Sequence, residues 1–201
     1  MKNHIEHIKS EIDKIADKSK SEWWNNYLQN TFQFIGVGIP DIRKIVKDWQ
    51  SKYDDNIELI SIADELIKLE IAEYKLAGIL IYQEFVLHDT SHDEILNHIN
   101  RLFEKKYIFD WNTCDWLCVR ILSPMIDNGT EGIVSTIVEW HKSDDLWHAR
   151  ASLVPFAQCK TLPTHLERLK VPMTTLISRE ERFAKTAIGW ILREIYILVT
   201  G

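Results

Sequence analysis

Three observations predict an all-α fold. Only 7 glycines and 5 prolines in 201 residues leave too few tight turns for an all-β chain of this length. A hydrophobic content of 45% lets the chain bury a substantial core, as a single domain spanning residues 1–201. From Glu22 onward, apolar residues recur at helical spacing in segments separated by short polar joints: SKSE, GVGIPD, SKYDDN, HDTSHD, SPMIDNGTEG, KSDDL and KTLPTH.

Taken in order, the segments support this reading. In PDIRKIVKDW, Pro40 stands where a first-turn proline belongs, and Ile42, Ile45, Val46 and Trp49 form one helical stripe. In AEYKLAGILIYQEFVLH the apolar positions are too dense for a surface helix, so an interior one is predicted. FDWNTCDW sets Trp111 and Asp115 four apart, on one helix face and one turn from each other. They are either a core aromatic and a solvated or capping acid, or two walls of one pocket. Helix pairs recur at roughly 35–45 residues without a strict consensus, as stacked helical-hairpin repeats do. A compact bundle has the same periodicity, so both arrangements fit the pattern.

Cys114, Cys118 and Cys159 are odd in number and show no disulfide framework, and the start MKNHIEHIKSEIDK carries no apolar signal, so a cytoplasmic protein is expected. The longest apolar runs fall far short of the roughly 20 residues that cross a bilayer. A formal net charge of -6 argues at first against a nucleic-acid partner. Residues 141–201, however, hold nine Lys or Arg against six Asp or Glu, so the cationic character is concentrated late in the chain.

Five motifs occur together in one order: FQFIGVGIPDIR, EYKLAGILIYQEF, WNTCD, DDLWHARASLVPF and ERFAKTAIGWILREI. The chain from about Glu22 to Ile195 thereby resembles the AlkD-type alkylpurine DNA glycosylases. The resemblance rests on Trp111 and Asp115 as Trp-x-x-x-Asp, Trp147 and Arg150 as Trp-x-x-Arg, and Ala187 to Glu194 as Ala-Ile-Gly-Trp-x-Leu-Arg-Glu. It implies a curved HEAT-like helical-repeat solenoid with a DNA-binding concave face. It also implies hydrolysis of the bond between deoxyribose and an N3- or N7-alkylated purine in duplex DNA, without flipping into a deep pocket.

Such a base is already cationic and leaves readily, so the need is to stabilise charge on the sugar rather than to supply a general acid. Trp111 and Asp115 are the expected catalytic pair, an indole face and a carboxylate against an oxocarbenium-like sugar. Arg150 is expected to grip a backbone phosphate, a surface salt bridge being its alternative. Trp190 is expected against the deoxyribose and backbone, unless it is a core residue beside a close-packing Gly189; Trp147 is read as structural. Tyr27, Arg43, Lys160, Lys185 and Arg193 complete the expected DNA contacts.

No metal or cofactor is expected. His88 and His92 lie four apart in a polar joint with neither a general-base glutamate nor a third ligand, and Cys114 and Cys118 read as small apolar packing groups. The expected partner is double-stranded DNA containing alkylated purines, bound by a monomer. A non-catalytic DNA-binding relative and a HEAT-type interaction scaffold are the competing readings.

Overall fold

Helix α1 (Lys2–Lys14) buries Ile8 and Ile12, one turn apart, on an otherwise polar segment. It opens a computed structural model that describes residues 1–27, 33–53 and 58–200, in two compact units, Met1–Ser91 and His92–Gly201. Phe32 of FQFIG and Asp54, Asp55 and Asn56 of SKYDDN lie outside the described residues. The described residues are overwhelmingly helical, as the sequence predicts; their only bridge is an isolated parallel pair, Gln33 with Ile71.

The first unit adds α2 (Lys18–Tyr27), α3 (Ile39–Gln50), α4 (Leu59–Ile67) and α5 (Ala72–Ile81); a π turn, Tyr82–Val86, leads into the short α6 (Leu87–Asp89). All ten residues of α5 are buried, which confirms the interior helix expected from its apolar density. Gly78 lets α4 approach: a β-carbon there would lie 2.5 Å from the Ala63 carbonyl oxygen and 2.8 Å from Ile67 Cγ1. Two charged residues are buried with this helix. The Glu73 carboxylate accepts from the amides of Ile35, Gly36 and Val37 at 2.8–3.2 Å, and Lys75 Nζ donates to the Ile67 carbonyl at 2.7 Å. Gly36 is left-handed (φ 91°), and a β-carbon on it would meet the Asp17 carbonyl at 2.1 Å. The FIGVG segment is thus a loop whose amides close on one carboxylate, satisfying donors that burial would otherwise strand.

The second unit contains α7 (His92–Glu104), α8 (Trp111–Leu117), a π turn (Cys118–Leu122), α9 (Ser123–Asn128), α10 (Glu131–Glu139), α11 (Leu146–Arg150), α12 (Leu162–Ile177) and α13 (Arg182–Thr200). Aspartates fix the starts of two short helices: Asp110 accepts from Thr113 N at 2.7 Å, and Asp145 from Trp147 N and His148 N at 3.0 Å. One expected joint is displaced. Ser123–Asn128 of SPMIDNGTEG is helical, because the π turn before it absorbs Pro124, whose ring would clash in an uninterrupted α-helix. The chain turns instead at Gly129.

Candidate active site

Asp115 lies on α8, which the Asp110 cap orients, and Arg150 is the last residue of α11, which the Asp145 cap orients. Folding brings them together. Arg150 Nε donates to Asp115 Oδ1 at 2.8 Å and Nη2 to Oδ2 at 2.9 Å, a bidentate pair. The arginine side chain is 5% exposed and the aspartate 16%, so Asp115 keeps some contact with solvent while Arg150 has almost none. Burial opposes the charge on Arg150, and the hydrogen bond and charge of Asp115 more than offset it, holding its pKa above the usual arginine value.

The remaining side of Arg150 is tied to the first turns of α13. Its Nη1 donates to the Phe183 carbonyl at 2.6 Å and to Thr186 Oγ1 at 3.0 Å. Four of the five guanidinium N–H groups are therefore engaged within the protein. The sequence assigned this side chain to a phosphate, with a surface salt bridge as the alternative; its ion pair is buried rather than superficial. Trp147 packs its ring on Phe183 at 5.2 Å, in keeping with a structural role.

Trp111 begins α8, one turn before Asp115, and is partly buried. Trp190 stands on α13 one turn beyond Thr186 and hence on the same helix face as the Arg150 anchor. Its Nε1 donates to Glu194 Oε1 at 3.1 Å. Arg193 donates to the same oxygen from Nε and Nη2, at 3.1 and 2.7 Å, and its guanidinium carbon lies 5.8 Å from the Trp190 ring centroid. Gly189 does not serve close helix packing: a β-carbon there would meet nothing within 4 Å.

The cationic side chains named from sequence are in varied states. Lys160 and Lys185 are exposed, and the Lys160 amide is held by Asp127. In the first unit, Arg43 pairs with Glu84 at 3.0 Å, which Lys47 also reaches at 2.7 Å, while Tyr27 is exposed and stacked on Trp23 at 5.3 Å. Sequence reasoning missed Phe183, Thr186 and Glu194. Their signal was the spacing i, i+3, i+7, i+11 through Trp190, one stripe of α13.

Cys114 donates to the Trp147 carbonyl at 3.5 Å, and its thiol pKa is raised well above the usual value, by burial first and then by Cys118. It stays a neutral thiol that pins α8 to α11. Among the described residues, no group of three or more His, Cys, Asp or Glu is placed to hold a metal ion, and no helix is long and apolar enough to cross a membrane.

A family model described as DNA alkylation repair enzyme matches residues 8–197, nearly the whole chain and every motif above. The chain belongs to the DNA alkylation repair enzyme family. Membership places its role in the repair of alkylated DNA, with DNA as its partner. No curated protein matches the chain significantly.

Proposed function

We propose that this member of the DNA alkylation repair enzyme family is a DNA glycosylase. It hydrolyses the N-glycosidic bond of cationic N3- or N7-alkylated purines in duplex DNA, in base excision repair. The observation that carries this reading is the carboxylate of Asp115, held at both oxygens by buried Arg150 on a side chain that keeps some solvent exposure. An anion fixed in this way stabilises positive charge as it develops on the sugar, without reorganising.

As the C1′–N bond breaks, its electron pair goes to the purine, which leaves as a neutral alkylated base. The sugar becomes oxocarbenium-like. Water then adds its oxygen to C1′ and releases a proton to solvent, giving an abasic site. Asp115 faces the cationic sugar and orients that water, Trp111 presents an indole face to the same charge, and Arg150 holds the Asp115 carboxylate in place. Trp190 lies against the deoxyribose and backbone, and Tyr27, Arg43, Lys160, Lys185 and Arg193 supply further DNA contacts along the HEAT-like repeat surface that the family resemblance implies. Because four of its N–H groups are engaged within the protein, Arg150 itself acts on Asp115 more than on a phosphate.

Release of 7-methylguanine or 3-methyladenine from methylated duplex DNA tests the reading. Release supports it. Salt-dependent duplex binding without release identifies a non-catalytic DNA-binding relative, and no duplex binding at low salt identifies an interaction scaffold.

A further inference from the structure

Glycine inside a helix is destabilising relative to alanine, so a mid-helix glycine calls for a cause. Gly36, Gly78 and Gly129 have one, and Gly132 stands in the first turn of α10 rather than mid-helix. A β-carbon would strike backbone oxygen at 2.1 Å on Gly36, 2.5 Å on Gly78 and 2.1 Å on Gly129. Gly189, within α13, has none of these constraints: it is exposed, its φ is not positive, and its β-carbon would project into open space.

Its surroundings indicate what uses that space. Gly189 lies three residues after Thr186, which holds Arg150 and through it Asp115; it adjoins Trp190 and stands four residues before Arg193. These spacings put the bare backbone of Gly189 on the side of α13 that carries the Arg150 anchor. Glycine is the residue that lets a ligand come close to main chain.

We propose that Gly189 is a steric aperture, the stretch of α13 against which the sugar–phosphate backbone of the lesion-bearing DNA strand closes, bringing the deoxyribose within reach of Asp115. The proposal rests on the DNA glycosylase reading. It assigns to Gly189 a positioning role that stability does not require.

The test uses the full chain as Gly189→Ala and Gly189→Leu, both good helix formers, in three measurements: melting temperature, affinity for an undamaged duplex, and single-turnover excision of 7-methylguanine. Gly189→Ala should melt about 2–4 °C higher, because helix propensity improves and no contact is lost. Gly189→Leu should fold equally well but lose duplex affinity by about 10-fold or more and excision by about 10²-fold, the scale of a misplacement near 1 Å. A Gly189→Leu variant that folds, binds and excises like wild type overturns the aperture, as does a wild-type chain with no duplex affinity. Wild type that binds but releases no base defeats the glycosylase reading alone, and the affinity comparison still decides the aperture.

Discussion

Arg150 grips both oxygens of Asp115 from a buried position, at 2.8 and 2.9 Å, although 35 residues separate them along the chain. An arginine so enclosed sets the carboxylate's position and orientation together. Removing it strands Asp115 and takes away the donor that the Phe183 carbonyl and Thr186 hydroxyl share. Arg150→Ala is predicted to destabilise the protein by about 3–5 kcal/mol, the usual scale for breaking a buried pair, and to lower excision. Arg150→Lys should keep more stability but little excision, because an ammonium cannot span two carboxylate oxygens while also bonding to α13. Urea denaturation with single-turnover kinetics checks both; an Arg150→Lys variant as active as wild type would show that bidentate geometry is irrelevant.

Thr186 acts through Arg150. Thr186→Val removes the oxygen 3.0 Å from Nη1 while keeping the shape, so excision should slow several-fold with little change in substrate affinity, and Thr186→Ser should restore it. Equal losses in the Val and Ser variants would assign the effect to packing instead.

His148 stacks on Phe103 at 5.0 Å, with Trp140 at 4.8 Å, and burial lowers its pKa. Its unfolded form therefore binds a proton first as pH falls. The stability linked to neutral His148 is complete above about 6.5, the unperturbed histidine value, and declines as pH drops from there toward the lower folded value. Burial lowers His4, His141 and His165 in the same direction. Melting temperature should thus fall as pH drops below about 6.5, and His148→Phe, which keeps an aromatic ring in the stack, should make that slope shallower. An unchanged slope would show that His148 contributes nothing to it.

Glu73 closes the FIGVG loop. Glu73→Ala leaves three amides without their carboxylate inside the first unit and should cost about 1–3 kcal/mol or more. Glu73→Gln retains an acceptor and should cost less. Chemical denaturation orders the two; the reverse order would mean that burying the glutamine amide, rather than losing the acceptor for the loop amides, decides.

The interior helix α5 was legible because its apolar density admits no surface face, and Trp111 with Asp115 because helix geometry alone couples i to i+4. Helix α1 was not: two buried isoleucines among lysines, glutamates and histidines give too weak a stripe. Pro124 read as a joint, since nothing local in the sequence announces the π turn that accommodates it. The partner of Arg150 was hidden for a different reason. A contact between α8 and α11 is set by tertiary packing, and residue type alone suited Arg150 equally to a phosphate.

The pairing also changes the outcome expected for the carboxylate itself. From sequence, Asp115→Asn should leave stability nearly untouched; with Arg150 buried against it, the amide leaves an uncompensated cation and should lower the melting temperature by several degrees. The decisive measurement is therefore the single-turnover rate of 7-methylguanine excision by Asp115→Asn at saturating protein, at a temperature where the variant is fully folded. A fixed anion opposing the sugar's charge predicts a rate about 10²- to 10³-fold below wild type, with duplex affinity largely retained. Excision at the wild-type rate by the folded variant would reduce Asp115 to a structural partner of Arg150 and contradict the proposed chemistry.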